Sequence, residues 1–247
     1  MKSYLCIDDT DSIGTPGSGH LLERLGLEIA EAGYGRPSRI SRHQLFVHPD
    51  VPYTSHNSSM CMLLENVTDA DALVRTCEDL IPRLAAAGSD PGICFVAEKD
   101  IRNPALLTEY GRRAKREVLT KESAKETASV CGLYLQELGG TGDGIIGAVA
   151  GIGLRFSGND GRFRGKFSLP FAGGRASAGE LAELPEIDGI IDAADNAMLG
   201  KDEIIAWEGL VKTVLFTGKS LLPVRRGKPG EEGWCVLNKD EIKACYP

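Results

Sequence analysis

No two of the seven cysteines, at positions 6, 61, 77, 94, 131, 235 and 245, form a Cys-x-x-Cys pair. Their odd count and mostly apolar surroundings argue against a zinc site or a disulfide framework, and for buried, reduced thiols in a cytoplasmic protein. The sequence lacks any 18-residue apolar run, so no segment is expected to span a membrane. It also lacks an N-terminal apolar stretch with a cleavage site, so secretion is not expected. Positive charge is in deficit: 28 Lys and Arg against 35 Asp and Glu give a net charge of −7. That balance argues against a broad surface for coating phosphates, though not against a local basic groove. There is no internal repeat. What remains is an ordinary globular composition, 42% hydrophobic and 26% charged over 247 residues, enough for one large domain or two modest ones.

The most informative stretch is residues 4–12, Tyr-Leu-Cys-Ile-Asp-Asp-Thr-Asp-Ser. An apolar run from Tyr4 to Ile7 reads as a buried strand and ends in three carboxylates, Asp8, Asp9 and Asp11. A glycine-rich segment, Gly14 to Gly19, follows, and a helical pattern begins after it. Strand, acidic cluster, glycine loop and helix start suit a divalent cation held beside a phosphate. Mg²⁺ takes one or two carboxylates and completes its shell with water and phosphate oxygens, while a helix N-terminus offers free N–H groups to the anion. An Asp-rich turn with ordinary N-cap residues is the plainer alternative. Three acids crowded at a strand end nevertheless repel one another unless a cation joins them.

The first hundred residues alternate in the order β-α-β-β-α-β. Strands are expected at 3–8, Leu45–Val47, Met60–Glu65 and Ile93–Ala97, with helices at Leu21–Ala32 and Asp69–Ala87. This is the ferredoxin-like pattern, an antiparallel sheet with both helices on one face. Its other face must be covered, and the next segment is the candidate. There, Pro104–Leu119 and Lys121–Leu138 read as helices, followed by a Gly139–Gly144 loop and an apolar run from Ile145 to Leu154. From Phe167 the pattern is weak, and Gly173, Gly174 and Pro185 read as linker punctuation. Short strand-like pieces at 187–191, 211–216 and 234–237 suggest a small β-rich appendage. The expected fold is therefore α/β (α+β): a ferredoxin-like part over 1–100, a helical, glycine-loop-bearing, kinase-like part over 101–186, and an appendage over 187–247.

The loop from Gly140 to Gly147 is the second candidate site. Glycines before a helix let backbone N–H groups approach a phosphate, and Asp143 within the loop can act as a base or bind a metal-bound water. A flexible turn whose glycines only permit close helix packing would read the same. Between the two loops, residues 48–57 combine Pro49 and Pro52 with hydrogen-bonding side chains. The prolines stiffen a loop that presents Tyr53, His56 and Asn57 to a ligand; a decorated connection with no ligand is the alternative. His43 and His48 read as strand or surface histidines. Basic residues at 112, 113, 115 and 116 read as a solvated helix face, whereas Arg162, Arg164 and Lys166 lie in a glycine loop that suits phosphate contacts.

Four stretches in this order resemble the archaeal 2-agmatinylcytidine synthetases, which modify an isoleucine tRNA. They are Ile7–Ser12, residues 48–54 with Asn57, Asp90–Gly92, and Gly142–Ala150, and together they span roughly residues 1–155. The resemblance implies an ATP- and Mg²⁺-dependent core that phosphorylates a cytidine carbonyl oxygen, which the amine agmatine then displaces as phosphate. By position, Asp8, Asp9 and Asp11 are the expected catalytic residues, with Asp8 and Asp11 as metal ligands. Thr10, Ser18, Gly142, Asp143 and Gly144 are expected to bind nucleotide, and Tyr53, His56 and Asn57 the substrate. Two features depart from the family. Ser18-Gly19 stands where the family has threonines, one of them a phosphorylation site. The family's oligonucleotide-binding domain and cysteine-rich zinc ribbon are not legible in residues 187–247, where Cys235 and Cys245 lack ribbon spacing. The expected function is phosphoryl transfer to an oxygen of a small molecule, with an amine such as agmatine as partner. The alternatives are a tRNA-modifying synthetase with a separate RNA-binding chain, and a non-catalytic binding module.

Overall fold

A computed structural model describes residues 2–51, 53, 56–227 and 233–246. These residues form seven α-helices and twelve strands, mostly antiparallel, in two compact units, Met1–Ser157 and Gly158–Pro247. The division falls inside the segment expected as residues 101–186.

The first unit opens with β1 (Lys2–Asp8), α1 (Ser18–Glu31), β2 (Arg36–Gln44), β3 (Ser58–Glu65), α2 (Ala70–Leu84) and β4 (Gly92–Ala97). There follow α3 (Pro104–Arg113), α4 (Lys121–Cys131), β5 (Tyr134–Glu137) and α5 (Gly144–Ser157). The strand order is β5-β4-β1-β3-β2, with every pairing antiparallel. β1 is central, buried from Ser3 to Ile7, with Cys6 opposite both Cys61 and Cys94.

Alternation along β1 divides two cores. Leu5 and Ile7 face the first, where the α1 stripe Leu21, Leu22, Leu25 and Ile29 meets Leu73, Cys77 and Ile81 of α2. Tyr4 and Cys6 face the second, against Leu107 and Tyr110 of α3, Ala124 and Ala128 of α4, and Ile145, Ala148 and Ile152 of α5. Each fully buried Leu or Ile contributes about 1.5–3 kcal/mol. The sheet is thus covered on both faces, and the helices after residue 100 supply the second cover.

Several boundaries differ from the sequence expectation. The second strand is Arg36–Gln44, and Leu45–Val47 lies just beyond its end. Its RPSRISRHQ sequence lacks apolar alternation because its buried positions include Ser41 and His43, whose Oγ and Nε2 lie 2.7 Å apart. α2 starts on an Asp69 cap that accepts from Ala72 N at 2.9 Å, and ends near Pro82, which has no N–H to continue the ladder. α3 stops at Arg113; the Ala114 carbonyl just past it accepts from Phe46 N at 2.9 Å. The expected helix Lys121–Leu138 ends at Gly132, whose φ of 75° is a left-handed cap, and Tyr134–Glu137 instead extends the sheet beside β4.

The second unit contains β6 (Arg162–Phe163), β7 (Arg175–Ser177), α6 (Ala178–Leu181), β8 (Gly189–Asp192), β9 (Ile204–Ala206), β10 (Val214–Phe216), β11 (Lys219–Arg226), β12 (Trp234–Val236) and α7 (Lys239–Cys245). Its strands run β6-β10-β11-β12-β9-β7, with β8 parallel to β11. Leu169, Ala176, Ala178 and Leu181 are buried in one core with Ile190, Leu222 and Trp234. Residues 167–186 are therefore part of a packed unit and not a linker. The longest strand of this unit, β11, escaped the sequence reading because Pro223 interrupts its apolar run.

α5 approaches its neighbours closely through glycines. A Cβ at Gly153 would stand 2.2 Å from the Leu107 carbonyl oxygen of α3. Gly153→Ala, which in an exposed helix would stabilise by up to about 1 kcal/mol, is expected here to destabilise by roughly 1–3 kcal/mol through overpacking. A urea unfolding midpoint equal to or above that of the parent would contradict this packing.

Candidate active site

β1 stops where its partners stop. Asp8 pairs with Gly92 at the start of β4, and the chain then turns through Asp9, whose φ of 51° lies in the left-handed region, to Thr10 and Asp11. Thr10 N donates to Ser18 Oγ at 3.4 Å, and Ser18 Oγ donates to Asp11 Oδ1 at 3.3 Å. The acidic turn is thereby tied to the first residue of α1. The Thr10 hydroxyl is buried without a hydrogen-bond partner.

The other wall is the start of α5. A Cβ at Gly147 would lie 1.7 Å from Asp8 Oδ2, and one at Gly144 would lie 2.3 Å from the Asp90 carbonyl oxygen. Only glycine at these positions lets the helix close on the strand end. The preceding loop is anchored by Asp90, whose carboxylate accepts from Thr141 N at 2.5 Å and Thr141 Oγ1 at 3.0 Å. Gly144 N donates to the Asp90 carbonyl oxygen at 3.0 Å.

Strand end, α5 and the proline loop enclose a cavity of about 340 Å³. Its wall includes Asp8, Asp9, Asp11, Asp143 and Gly144, together with Tyr53, His56 and Asn57, so eight of the sequence-predicted residues converge on one space. Three do not reach it. Thr10 and Ser18 are buried behind the acidic turn, and Gly142 is a buried turn residue. The Asn57 amide donates to the Phe46 carbonyl at 2.6 Å, closing the base of the loop. His48 stacks on Phe46 at 5.4 Å, while His43 is wholly buried. Pro52 and Thr54, part of the stretch singled out in the sequence, lie outside the described residues.

Sequence reasoning missed the floor of the cavity: Leu119, Thr120, Lys121 and Glu122, at the start of α4. Only the early end of α3, with the capping signal at Thr120, could have indicated it. It also missed Asp90 as the residue that fixes the Gly139–Gly144 loop.

The carboxylates perturb one another. Burial, reinforced by Asp9 and Asp11, raises Asp8 to about 8. Burial, then the charges of Asp90, Asp11 and Asp143, raises Asp9 to about 6. Among the described residues no three His, Cys, Asp or Glu side chains form a preformed metal cage. Mg²⁺ does not demand one, since water and phosphate complete its shell. A strand-end pair of oxygen donors whose negative charge is held at such cost fits that ion.

No family model and no curated protein matches the chain. Solved structures do match. The fold is similar to that of about half of TiaS, the agmatidine synthetase of an isoleucine tRNA. Apo TiaS superposes with a TM-score of 0.54 at 21% identity, over 80% of this chain and 48% of TiaS. A TiaS complex with its tRNA, AMPCPP and agmatine gives 0.52 at 19% identity, over 99% of this chain and 55% of that one. A tRNA fluorescent labeling enzyme gives 0.54 at 26% identity, over 62% and 36%. The chain thus spans about half or less of the length of these structures. TiaS has also been captured with its tRNA and ATP. Among the described residues no helix is long and apolar enough to cross a membrane.

The raised Asp8 carboxyl sets a pH dependence. It binds its proton more tightly folded (about 8) than unfolded (near 3.8). Its contribution to stability is therefore fully present below pH 3.8 and lost as pH rises through about 8. In metal-free buffer, Asp8→Asn should raise the melting temperature relative to the parent at pH 8, with the difference shrinking towards pH 5. Parallel melting curves for the two proteins across that range would show that Asp8 carries no such shift.

Proposed function

We propose that this chain is an Mg²⁺-ATP-dependent enzyme that activates an oxygen of a small molecule by phosphoryl transfer, for attack by an amine. One observation carries the reading: the acidic strand end of β1 and the glycine-walled start of α5 share a single cavity with the proline loop. Asp8 and Asp11 would hold Mg²⁺, which when bound neutralises charge on the phosphates. Asp9 orients the acceptor or a water, and its pKa near 6 leaves it largely ionised at neutral pH. Asp143 and Gly144, with Gly142 shaping their turn, line the nucleotide side. Thr10 and Ser18 support the acidic turn from behind. Tyr53 and His56, both exposed, meet the substrate from the mouth, and Asn57 holds their loop. Such chemistry needs little from the protein beyond positioning and charge neutralisation.

This reading also takes β1–α1–β2–β3–α2–β4 as a ferredoxin-like unit and the protein as cytoplasmic. ATP and the amine come by likeness from TiaS complexes that hold ATP, or AMPCPP with agmatine.

Asp8→Asn and Asp11→Asn should each abolish Mg²⁺-dependent ATP binding in calorimetry while leaving the circular dichroism spectrum unchanged. Unaltered ATP affinity in both variants would remove the assignment.

A second reading is favoured by the likeness to two tRNA-handling proteins: the chain modifies tRNA together with a separate RNA-binding partner. Arg112, Arg113 and Arg116, exposed or half-exposed on and just after α3, would supply backbone contacts, whereas Arg162 is buried, and RNA retention should fall steeply as salt rises. No retention of tRNA even at low salt would eliminate this reading.

A further inference from the structure

Among the described residues lining the cavity, seven side chains are carboxylates: Asp8, Asp9, Asp11, Asp50, Glu117, Glu122 and Asp143. The same lining contains one Lys or Arg, Lys121. Glu117 is paired with Arg113 and Arg116 and Asp8 is largely protonated at neutral pH, but the remaining carboxylates still repel a polyphosphate. The position of Lys121 is unusual for a lysine. It is the first residue of α4, where the helix dipole presents its positive end and a cation is disfavoured. The side chain is partly buried and turns across to the glycine loop, where Nζ donates to the Thr141 carbonyl and stands 3.9 Å from Glu137 Oε2. Thr141 is the residue that Asp90 grips by its N–H and hydroxyl. The ammonium is thus lodged between the cavity floor and the loop expected to meet nucleotide, with Glu137 already shared by Lys125 at 2.7 Å.

We propose that Lys121 is the polyphosphate-binding residue of this site, taking a phosphate oxygen on Nζ when the nucleotide enters. The proposal rests on the nucleotide-binding reading above. Lys121 belongs to the cavity wall, and its ammonium is held at the glycine loop by the Thr141 carbonyl and Glu137. An incoming phosphate then offers Nζ a fully charged acceptor, which makes a stronger hydrogen bond than the neutral carbonyl. No other Lys or Arg lines the cavity among the described residues, so Lys121 is the side-chain cation there that a polyphosphate can meet.

The test uses the full chain with Mg²⁺, and as probes ATP and inorganic tripolyphosphate. Loss of a charged hydrogen bond of roughly 1.5–3 kcal/mol corresponds to a tenfold or greater weakening. Lys121→Met is expected to weaken both probes by at least about tenfold, with Lys121→Arg recovering part of the affinity. The second readout is independent of any folding defect in the variants. In the parent protein, tripolyphosphate should protect Lys121 from amine-directed labelling read by peptide mass spectrometry, while Lys125 stays reactive. Equal labelling of Lys121 with and without bound tripolyphosphate would overturn the proposal, as would full affinity in Lys121→Met. Failure of the parent protein to bind either probe would instead reject the nucleotide-binding reading, and the proposal with it.

Discussion

Asp8 lies at the end of a central strand with its side chain against the first turn of a helix, and the rest of the site is built around that contact. The helix approaches because Gly147 leaves room for the Asp8 carboxylate, where a Cβ would sit 1.7 Å from its oxygen. Gly144 and Gly92 meet at the same junction, where a Cβ at Gly92 would come within 2.2 Å of the Gly144 carbonyl carbon. The approach is made stable by the packing behind it, where Ile145, Ala148 and Ile152 bury themselves against β1 and β4. Apolar burial of that kind readily outweighs the repulsion of a few carboxylates, which is how the fold sustains an acidic turn with raised pKa values.

That contact explains why the cavity is where it is. In the turn after β1, Asp9 adopts a left-handed backbone and Thr10 N donates to Ser18 Oγ. The Gly139–Gly144 loop is pinned by Asp90 from the β4 side and by Lys121 from α4. Charge in this region is consequently organised by three separate elements. The acidic turn and Lys121 belong to the same cavity wall, while the Lys121 ammonium holds the glycine loop. The lining also includes the apolar and aromatic side chains of Phe46, Val51, Tyr53 and Val118.

Much of the first unit was legible from sequence. The strand at Tyr4–Ile7, the α1 stripe and the helix starts at Asp69 and Pro104 follow from apolar period and capping residues, which are local properties. Less legible were elements whose identity is set by a neighbour. Tyr134–Glu137 has no strand signature of its own and pairs because β4 would otherwise present an open edge. Arg36–Gln44 hides its period behind buried Ser41 and His43, which satisfy each other. The second unit was read least well, since most of its strands are only two to four residues long and their order becomes visible only when paired.

Sequence by itself determined the chemistry available here: three carboxylates after a strand, glycines before a helix, and a stiff proline loop, in an order resembling one enzyme family. It did so because strand ends, caps and turns are decided by neighbouring residues. Tertiary structure alone decided which of those groups share a space. It turned Thr10 and Ser18 away from the cavity, committed Asn57 to its own loop, and brought Asp90 and Lys121 to the Gly139–Gly144 loop from 51 and 20 residues away along the chain. Such contacts depend on how helices stack on a sheet, and no window of local sequence records that distance.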